Sequence, residues 1–278
     1  MRIMALNHTF VRDIDAELER RRLERLRSYA SPGTIIEGDY PEDLGGSEVL
    51  HHLRKTKTLA GLHHMLGTPA LVKKIIEAER GGFDAVVQID AFDPGVEAAR
   101  LAVRIPVVGL LRASCAFAAT LCDRFAITVP VESYVPYVWR MVETYRMAHF
   151  ITGIRVIDLF EVGDLSKFHD AILERTVAVA RELVAGGAQA LVPLATRLIP
   201  EAVSPDEVER EVGIPVLNTQ AVGIRFAELM VSSKIVHSQS AYPWAPGLAP
   251  EAVSNRAVPS QSRVQSPGSR GLNLNPKL

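Results

Sequence analysis

The chain has 278 residues, enough for one large α/β unit or two similar lobes. Its 31 Lys and Arg against 32 Asp and Glu leave a formal charge of −1, so no net field favours nucleic acid or an anionic membrane, and neither is expected as a partner. An apolar fraction of 47% is enough to bury a substantial core, which excludes disorder as the general state.

The longest clear apolar run, residues 105–111, falls short of the roughly 18–20 residues that a membrane-spanning helix needs. The first six residues hold one Arg and too short an apolar stretch for a secretory leader, so a cytoplasmic location is expected. Cys115 and Cys122 stand in a stretch with helical patterning, about 10 Å apart along such a helix, and cannot bridge within it.

In chain order, strand-like apolar runs fall at residues 2–6, 34–37, 85–89, 106–109, 125–129, 154–159, 190–194 and 215–217. Helical patterning lies between them. The segment 17–27 alternates charge at i to i+4 spacing and reads as a solvated helix face. Phe168, Ile172, Val179 and Leu183 recur on one helical face, with Asp170, Glu174 and Arg181 off it. Strand alternating with helix predicts an α/β fold of parallel sheets covered on both faces.

The chain also resembles itself. Gly81-Gly82-Phe83-Asp84-Ala85-Val86-Val87 returns 105 residues later as Gly186-Gly187-Ala188-Gln189-Ala190-Leu191-Val192. Asp93-Pro94 and Ser204-Pro205 each set a capping side chain before a proline suited to a first helical turn, and Ser204 with Glu207 makes a capping-box pattern. Ile105-Pro106-Val107 is answered by Ile214-Pro215-Val216. These echoes, in one order, predict two pseudo-symmetric lobes, each a short parallel sheet flanked by helices. Residues 1–110 plus 215–245 would form the first lobe and 111–214 the second. Residues 246–278, rich in Ser, Pro, Gly, Asn and Arg, are expected to be a disordered tail.

Ligands of parallel α/β sheets sit outside the carboxyl ends of the strands. The 105-residue offset therefore pairs Asp90 with Ala195 across a cleft between the lobes, a carboxylate facing a methyl group. Asn7, His8, Phe92, Thr196 and Arg197 follow the same strands and are candidate site residues. The pairs His51-His52 and His63-His64 suggest a metal. Adjacent helical residues point about 100° apart, however, and no Cys or carboxylate cluster stands at ligand spacing, so no metal site is expected. No phosphate-binding loop follows a strand, since Gly45-Gly46 lacks the Lys-Ser/Thr signature.

Asn7, Pro32-Gly33-Thr34-Ile35-Ile36-Glu37, Phe83-Asp84-Ala85-Val86-Val87, Asp93-Pro94-Gly95, Ile105-Pro106-Val107-Val108-Gly109, Arg124-Phe125, His237-Ser238 and Tyr242-Pro243 together resemble the aspartate/glutamate racemase superfamily, hydantoin racemase branch. The likeness runs over residues 1–244. It implies two lobes, a homo-oligomer, no cofactor, a small-molecule substrate, and one cysteine from each lobe flanking the substrate carbon. By position those cysteines fall at Asp90 and Ala195, and neither is cysteine here; Cys115 and Cys122 lie elsewhere.

A carboxyl with a reference pKa of about 3.9 is a weaker base than a thiolate of about 8.5, unless burial raises it, as is expected of Asp90. A methyl at Ala195 moves no proton. His8 could supply the second acid/base group, Asn7 hydrogen bonds to a substrate carbonyl or carboxylate, and Arg197 a bidentate carboxylate clamp. Three readings stay open: racemase-type proton transfer on a small carboxylate or hydantoin-like ring; a decarboxylase, lyase or hydrolase with Asp90 as its single acid/base; and a ligand-binding protein without turnover.

Overall fold

The computed structural model describes residues 1–8, 15–45, 47–58, 60–160 and 164–244, with Gly247 and Val253 beyond them. The tail expected from residue 246 onward lies otherwise outside the described residues.

Two parallel sheets carry the fold. The first holds β1 (Arg2–Leu6), β2 (Ile35–Asp39), β3 (Ala85–Gln88) and β4 (Val107–Gly109) in the order β2-β1-β3-β4. The second holds β5 (Phe125–Val129), β6 (Ile151–Val156) and β7 (Leu191–Pro193) in the order β6-β5-β7. A single bridge from Leu191 to Val216 stands where a fourth strand would be. Both sheets thus repeat one topology, and the expected α/β architecture is the one observed.

Side chains alternate between the two faces of each strand, and different helices take each face. Met4, Leu6 and Val86 pack with α3 (Leu62–Arg80) and α4 (Val96–Ala102), following α2 (Ser47–Thr56). On the opposite face, Ile3, Ala5 and Val87 meet α1 (Ala16–Tyr29) and α9 (Thr219–Ser232). In the second sheet Phe125, Ile127 and Val129 pack against α5 (Leu110–Leu121) and α6 (Tyr134–Thr144). Ala126 and Leu191 face α7 (His169–Ala185) and α8 (Pro205–Val212). Helix α5 joins the halves, because Leu110 and Ala113 belong to the first core while Leu111, Cys115 and Ala118 belong to the second.

The internal repeat reappears as matched backbone geometry. Gly81 and Gly186 close α3 and α7 with the same φ of −77° and ψ of 2°. Gly82 and Gly187 follow in the left-handed region, at φ 75° and 90°, which glycine enters without penalty. Asp84 N then donates to Arg2 O at 2.8 Å and Gln189 N to Arg124 O at 2.8 Å, setting β3 on β1 and β7 on β5 in the same way. Both side chains add to this: Asp84 Oδ2 accepts from Arg2 N at 2.7 Å, and Gln189 Oε1 from Arg124 N at 3.1 Å.

The repeat breaks at the two helix starts. Ser204 makes the expected capping box with Glu207 at the head of α8. Asp93 does not cap α4, whose N-cap is Gly95. It sits at φ 52°, and its carboxylate crosses to α5, accepting from Leu111 N at 2.7 Å, Arg112 N at 3.0 Å and Tyr145 Oη at 3.1 Å. The same Asp/Ser-Pro punctuation therefore serves two different helices. Gly109 makes this possible, since a Cβ there would collide with the Asp93 carboxylate.

Three other expectations shift. The run expected at 154–159 forms its strand at Ile151–Val156, because β6 pairs from Ile151 onward with Phe125 and Asp158 turns away at φ 59°. Residues 215–217 form only the bridge at Val216, and α9 returns the chain to the first sheet. Helix α1 is not wholly a solvated face. Arg22 is buried and pairs with Glu201 at 3.0 Å, and Arg21 reaches Asp164 at 2.7 Å, so two of its arginines bind the 164–201 region.

Burial pushes the Asp93 carboxyl up to about 6, despite the two N–H donors and Arg100 acting the other way. The folded state then holds a proton that the unfolded chain releases, so this stability is fully present below the unfolded pKa and is lost as pH rises through about 6. Relative to Asp93→Asn, which does not titrate, the wild type is expected to gain on the order of 2 kcal/mol between pH 7 and pH 4. Urea unfolding of both chains at the two pH values measures this, and a difference that shrinks on acidification contradicts it.

Candidate functional site

The site is built where β1 and β3 end. Asn7 and His8 follow β1, and Asp90 follows β3 after Ile89, whose N–H bonds Leu6 O at 3.0 Å and holds the two strand ends level. Asp90 is fixed by its own loop: its N–H donates to Gln88 Oε1 at 2.7 Å, and its Oδ1 accepts from Phe92 N at 3.0 Å. The first turn of α3 brings His63 and His64 over this floor. Gly61 starts that turn at φ 89°, in a place where a Cβ would strike the Tyr137 ring.

Three imidazoles and a carboxylate result. His64 Nε2 stands 3.4 Å from Asp90 Oδ1, and His64 is 1% exposed. The ring centroids lie 3.9 Å apart for His63 and His64, 5.1 Å for His8 and His64, and 5.3 Å for His8 and His63. Helix α6, from the second sheet, supplies the facing wall. Tyr134 stacks on Phe92 at 4.1 Å, and Tyr137 lies 5.8 Å from His64. The constellation therefore draws on both halves of the fold.

Burial, reinforced by the neighbouring rings, pushes His8 down to about 4 and His63 down to about 2, so both are neutral at pH 7. Asp90 behaves oppositely to expectation. Burial pushes its carboxyl up, but the imidazoles around it, His64 first, outweigh this and hold it below the usual carboxylate range. It is a carboxylate at neutral pH, with a side chain about a quarter exposed, and so open to a small molecule. Burial raises the phenols of Tyr134 and Tyr137, and the Asp90 charge adds to this, so both stay protonated.

The other expected site residues divide. Asn7 is buried beside His8, and its Nδ2 has no hydrogen-bond partner among the described residues. Phe92 is part of the wall. Ala195 lies at the equivalent strand end, but packs into an apolar cluster with Leu198, Ile199 and Val203. Thr196 is buried and gives its carbonyl to Glu201 N at 3.1 Å. Arg197 Nε lies 3.9 Å from Glu201 Oε2 and lines a separate pocket with Arg21, Arg25 and Asp164, so the Arg197 clamp does not fall among the groups that Asp90 contacts. Cys115 is buried, and burial with the Asp93 charge pushes its thiol up, which leaves it unreactive. His52 is exposed on α2.

The sequence argument against His63-His64 considered the two residues on their helix alone. It could not supply the third ring, which comes from His8 at the end of β1, nor show that a first helical turn lets adjacent rings converge. Tyr134 and Tyr137 carried no signal beyond an aromatic pair at i, i+3.

Comparison with known proteins agrees with this architecture. The model of the Asp/Glu/Hydantoin racemase family matches residues 63–227. A hydantoin racemase from Pseudomonas sp. (strain NS671) is 28% identical over 166 residues, which is 60% of this chain and 66% of that protein, a little under two thirds of its length. The allantoin racemase of Klebsiella pneumoniae superposes with a TM-score of 0.72 over 90% of this chain and 95% of its own, at 20% identity. Arylmalonate decarboxylase shares the fold more distantly, with a TM-score of 0.53 over 82% of this chain and 92% of its own, at 14% identity.

Gly67, inside α3, makes room for the cluster: a Cβ there would strike the His8 ring and a Leu44 methyl. Helix propensity favours alanine by about 0.8–1.0 kcal/mol, while overpacking costs about 1–3 kcal/mol. Gly67→Ala is therefore expected to lower stability, by about 1 kcal/mol or more, where the helix alone would gain. Equilibrium denaturation decides the sign, and a more stable variant would show that His8 is not confined there.

Proposed function

We propose that this chain, which belongs to the Asp/Glu/hydantoin racemase family, is an enzyme that moves a proton at a carbon next to a carbonyl in a small carboxylate or hydantoin-like ring, with Asp90 as its base. The observation that carries this reading is the ionised, part-exposed Asp90 at the carboxyl end of β3, in contact with His64 and walled by Phe92, Tyr134 and Tyr137. A carbon acid flanked by carbonyl and nitrogen gives up its proton when a base is held against it in a dry site. Asp90 is such a base, and its loop hydrogen bonds fix its direction. Asn7 Nδ2 is the neutral donor suited to the enolate oxygen that develops. His64, the ring nearest Asp90, rather than His8, can carry the proton onward.

Asp90 and Ala195 occupy, on this reading, the places where related racemases carry cysteines. A methyl at Ala195 offers no acid/base group on the second face, so inversion by the Asp90–His64 pair requires the planar enolate to turn over in the site before the proton is returned. Without that turnover the same pair exchanges the proton with retention. That asymmetry also favours a second reading, a decarboxylase, lyase or hydrolase in which Asp90 alone handles the proton or activates water. The hydantoin racemase relatives favour the first.

Incubation with hydantoins and small α-substituted acids in deuterated water separates the readings. Solvent deuterium at the α-carbon of recovered substrate, in both configurations, is expected for racemisation. A shortened or ring-opened product assigns the chain to the second reading, and ligand-induced stabilisation without turnover across the panel identifies a binding protein. Asp90→Asn is expected to lower turnover by about 10² or more with substrate binding kept; full activity in that variant removes Asp90 from the chemistry.

A further inference from the structure

The three histidines exceed what proton transfer by Asp90 needs. His8, His63 and His64 are 7%, 3% and 1% exposed, and one ring nitrogen from each lies within 4.8 Å of the other two. His8 Nε2, His63 Nδ1 and both ring nitrogens of His64 have no hydrogen-bond partner among the described residues, so each of the three rings holds at least one unpartnered nitrogen. Buried polar atoms are ordinarily paired, and three on one spot point to a common occupant.

Two of the rings, His8 and His64, are oriented as the outer contacts of a metal site would orient them. A backbone group at His63 hydrogen-bonds His8 and leaves its Nε2 for the cluster. His64 turns Nε2 toward Asp90 at 3.4 Å and leaves Nδ1, the pattern of a ligand histidine oriented by a carboxylate. Gly67 lets the His8 ring approach α3 with Nε2 in the place a Cβ would take.

We propose that His8 Nε2, His63 Nδ1 and His64 Nδ1 bind a divalent transition-metal ion of the zinc class, with Asp90 orienting His64 and balancing the charge. Three nitrogen donors and a neighbouring carboxylate suit zinc, cobalt or nickel over the oxygen-seeking magnesium and calcium. Zinc–nitrogen bonds of about 2.0–2.1 Å put tetrahedral donors about 3.3 Å apart, so ring rotations that draw the 4.8 Å spread inward complete the site. Three protein ligands leave a fourth position for water or an added ligand. With Nδ1 on the metal, His64 would present Nε2–H to Asp90 and orient it without relaying its proton, so a loaded site excludes the His64 relay but not Asp90 as base. The metal titration and the activity are read separately, so either can fail alone.

The test uses the full chain, stripped with a chelator and titrated with Zn²⁺ by calorimetry and with Co²⁺ by visible absorption. One Zn²⁺ per chain and the intense visible bands of four-coordinate Co²⁺ are expected. His63→Gln and His64→Gln should each weaken Zn²⁺ binding by about 10²-fold or more, and Asp90→Asn by about 10- to 100-fold, through the orientation of His64. His169 controls for surface binding, because it stands half-buried at the surface between Asp170 and Glu207 and is where adventitious zinc would lodge. His169→Gln should leave the titration unchanged. Wild type that binds no Zn²⁺, Co²⁺ with only weak six-coordinate bands, or binding lost in His169→Gln and kept in the α3 variants would each overturn the assignment. The Co²⁺ spectrum of the wild type decides the matter even if an α3 variant fails to fold.

Discussion

The loop after β3 is held by two carboxylates three residues apart, and the geometry of the site depends on it. Asp93 is pinned inside the protein by Leu111 N, Arg112 N and Tyr145 Oη, groups contributed by the helix that joins the two sheets and by the end of α6. With its far end locked, the short stretch from Asp90 to Phe92 has little freedom left. Asp90 accepts the Phe92 amide, and Phe92 stacks on Tyr134. A buried carboxyl satisfied by three donors is costly to move, because each donor would be left unpaired. The halves are therefore fastened beside the point where Asp90 emerges.

The duplicated scaffold is used unevenly. At the end of β7 the equivalent loop runs through Ala195 into an apolar cluster, and its helix starts with an ordinary capping box. At the end of β3 the same framework carries Asp90, with imidazoles brought by β1 and α3. Duplication supplies two equivalent strand ends; side-chain choice then sets an ionisable cluster at one and an apolar cluster at the other. The second half still contributes through α6, whose Tyr134 stacks on Phe92 and whose Tyr137 stands against His64.

Much of this was legible in the sequence. Alternating runs gave the strands and the α/β class, and the Gly-Gly echo marked matched helix ends, because only glycine enters those backbone angles freely. Asp90 was found by carrying the repeat past the strand. What could not be read were contacts between segments distant in the chain. Asp93 looked like a local cap, and only the folded position of α5 shows that its partners lie 18 and 19 residues on. Arg22 looked solvated until Glu201 was brought beside it. Arg197 pointed at the site by sequence position, but a long side chain at a strand end can leave the cleft, and here Glu201 draws it to the α1 side. His8, a candidate from its strand end, gained its meaning only with the α3 pair.

Electrostatics explains why the cluster and the carboxylate belong together. Burial drives a carboxyl toward its neutral form, and at Asp93 it outweighs the donors and Arg100 that oppose it, whereas at Asp90 the surrounding imidazoles, His64 first, outweigh burial. Desolvation keeps His8 and His63 neutral at pH 7, so the carboxylate is the ionised group among them. A carboxylate held below its usual range is a weak base, and the carbon acids it can serve are those already activated by their own carbonyl groups.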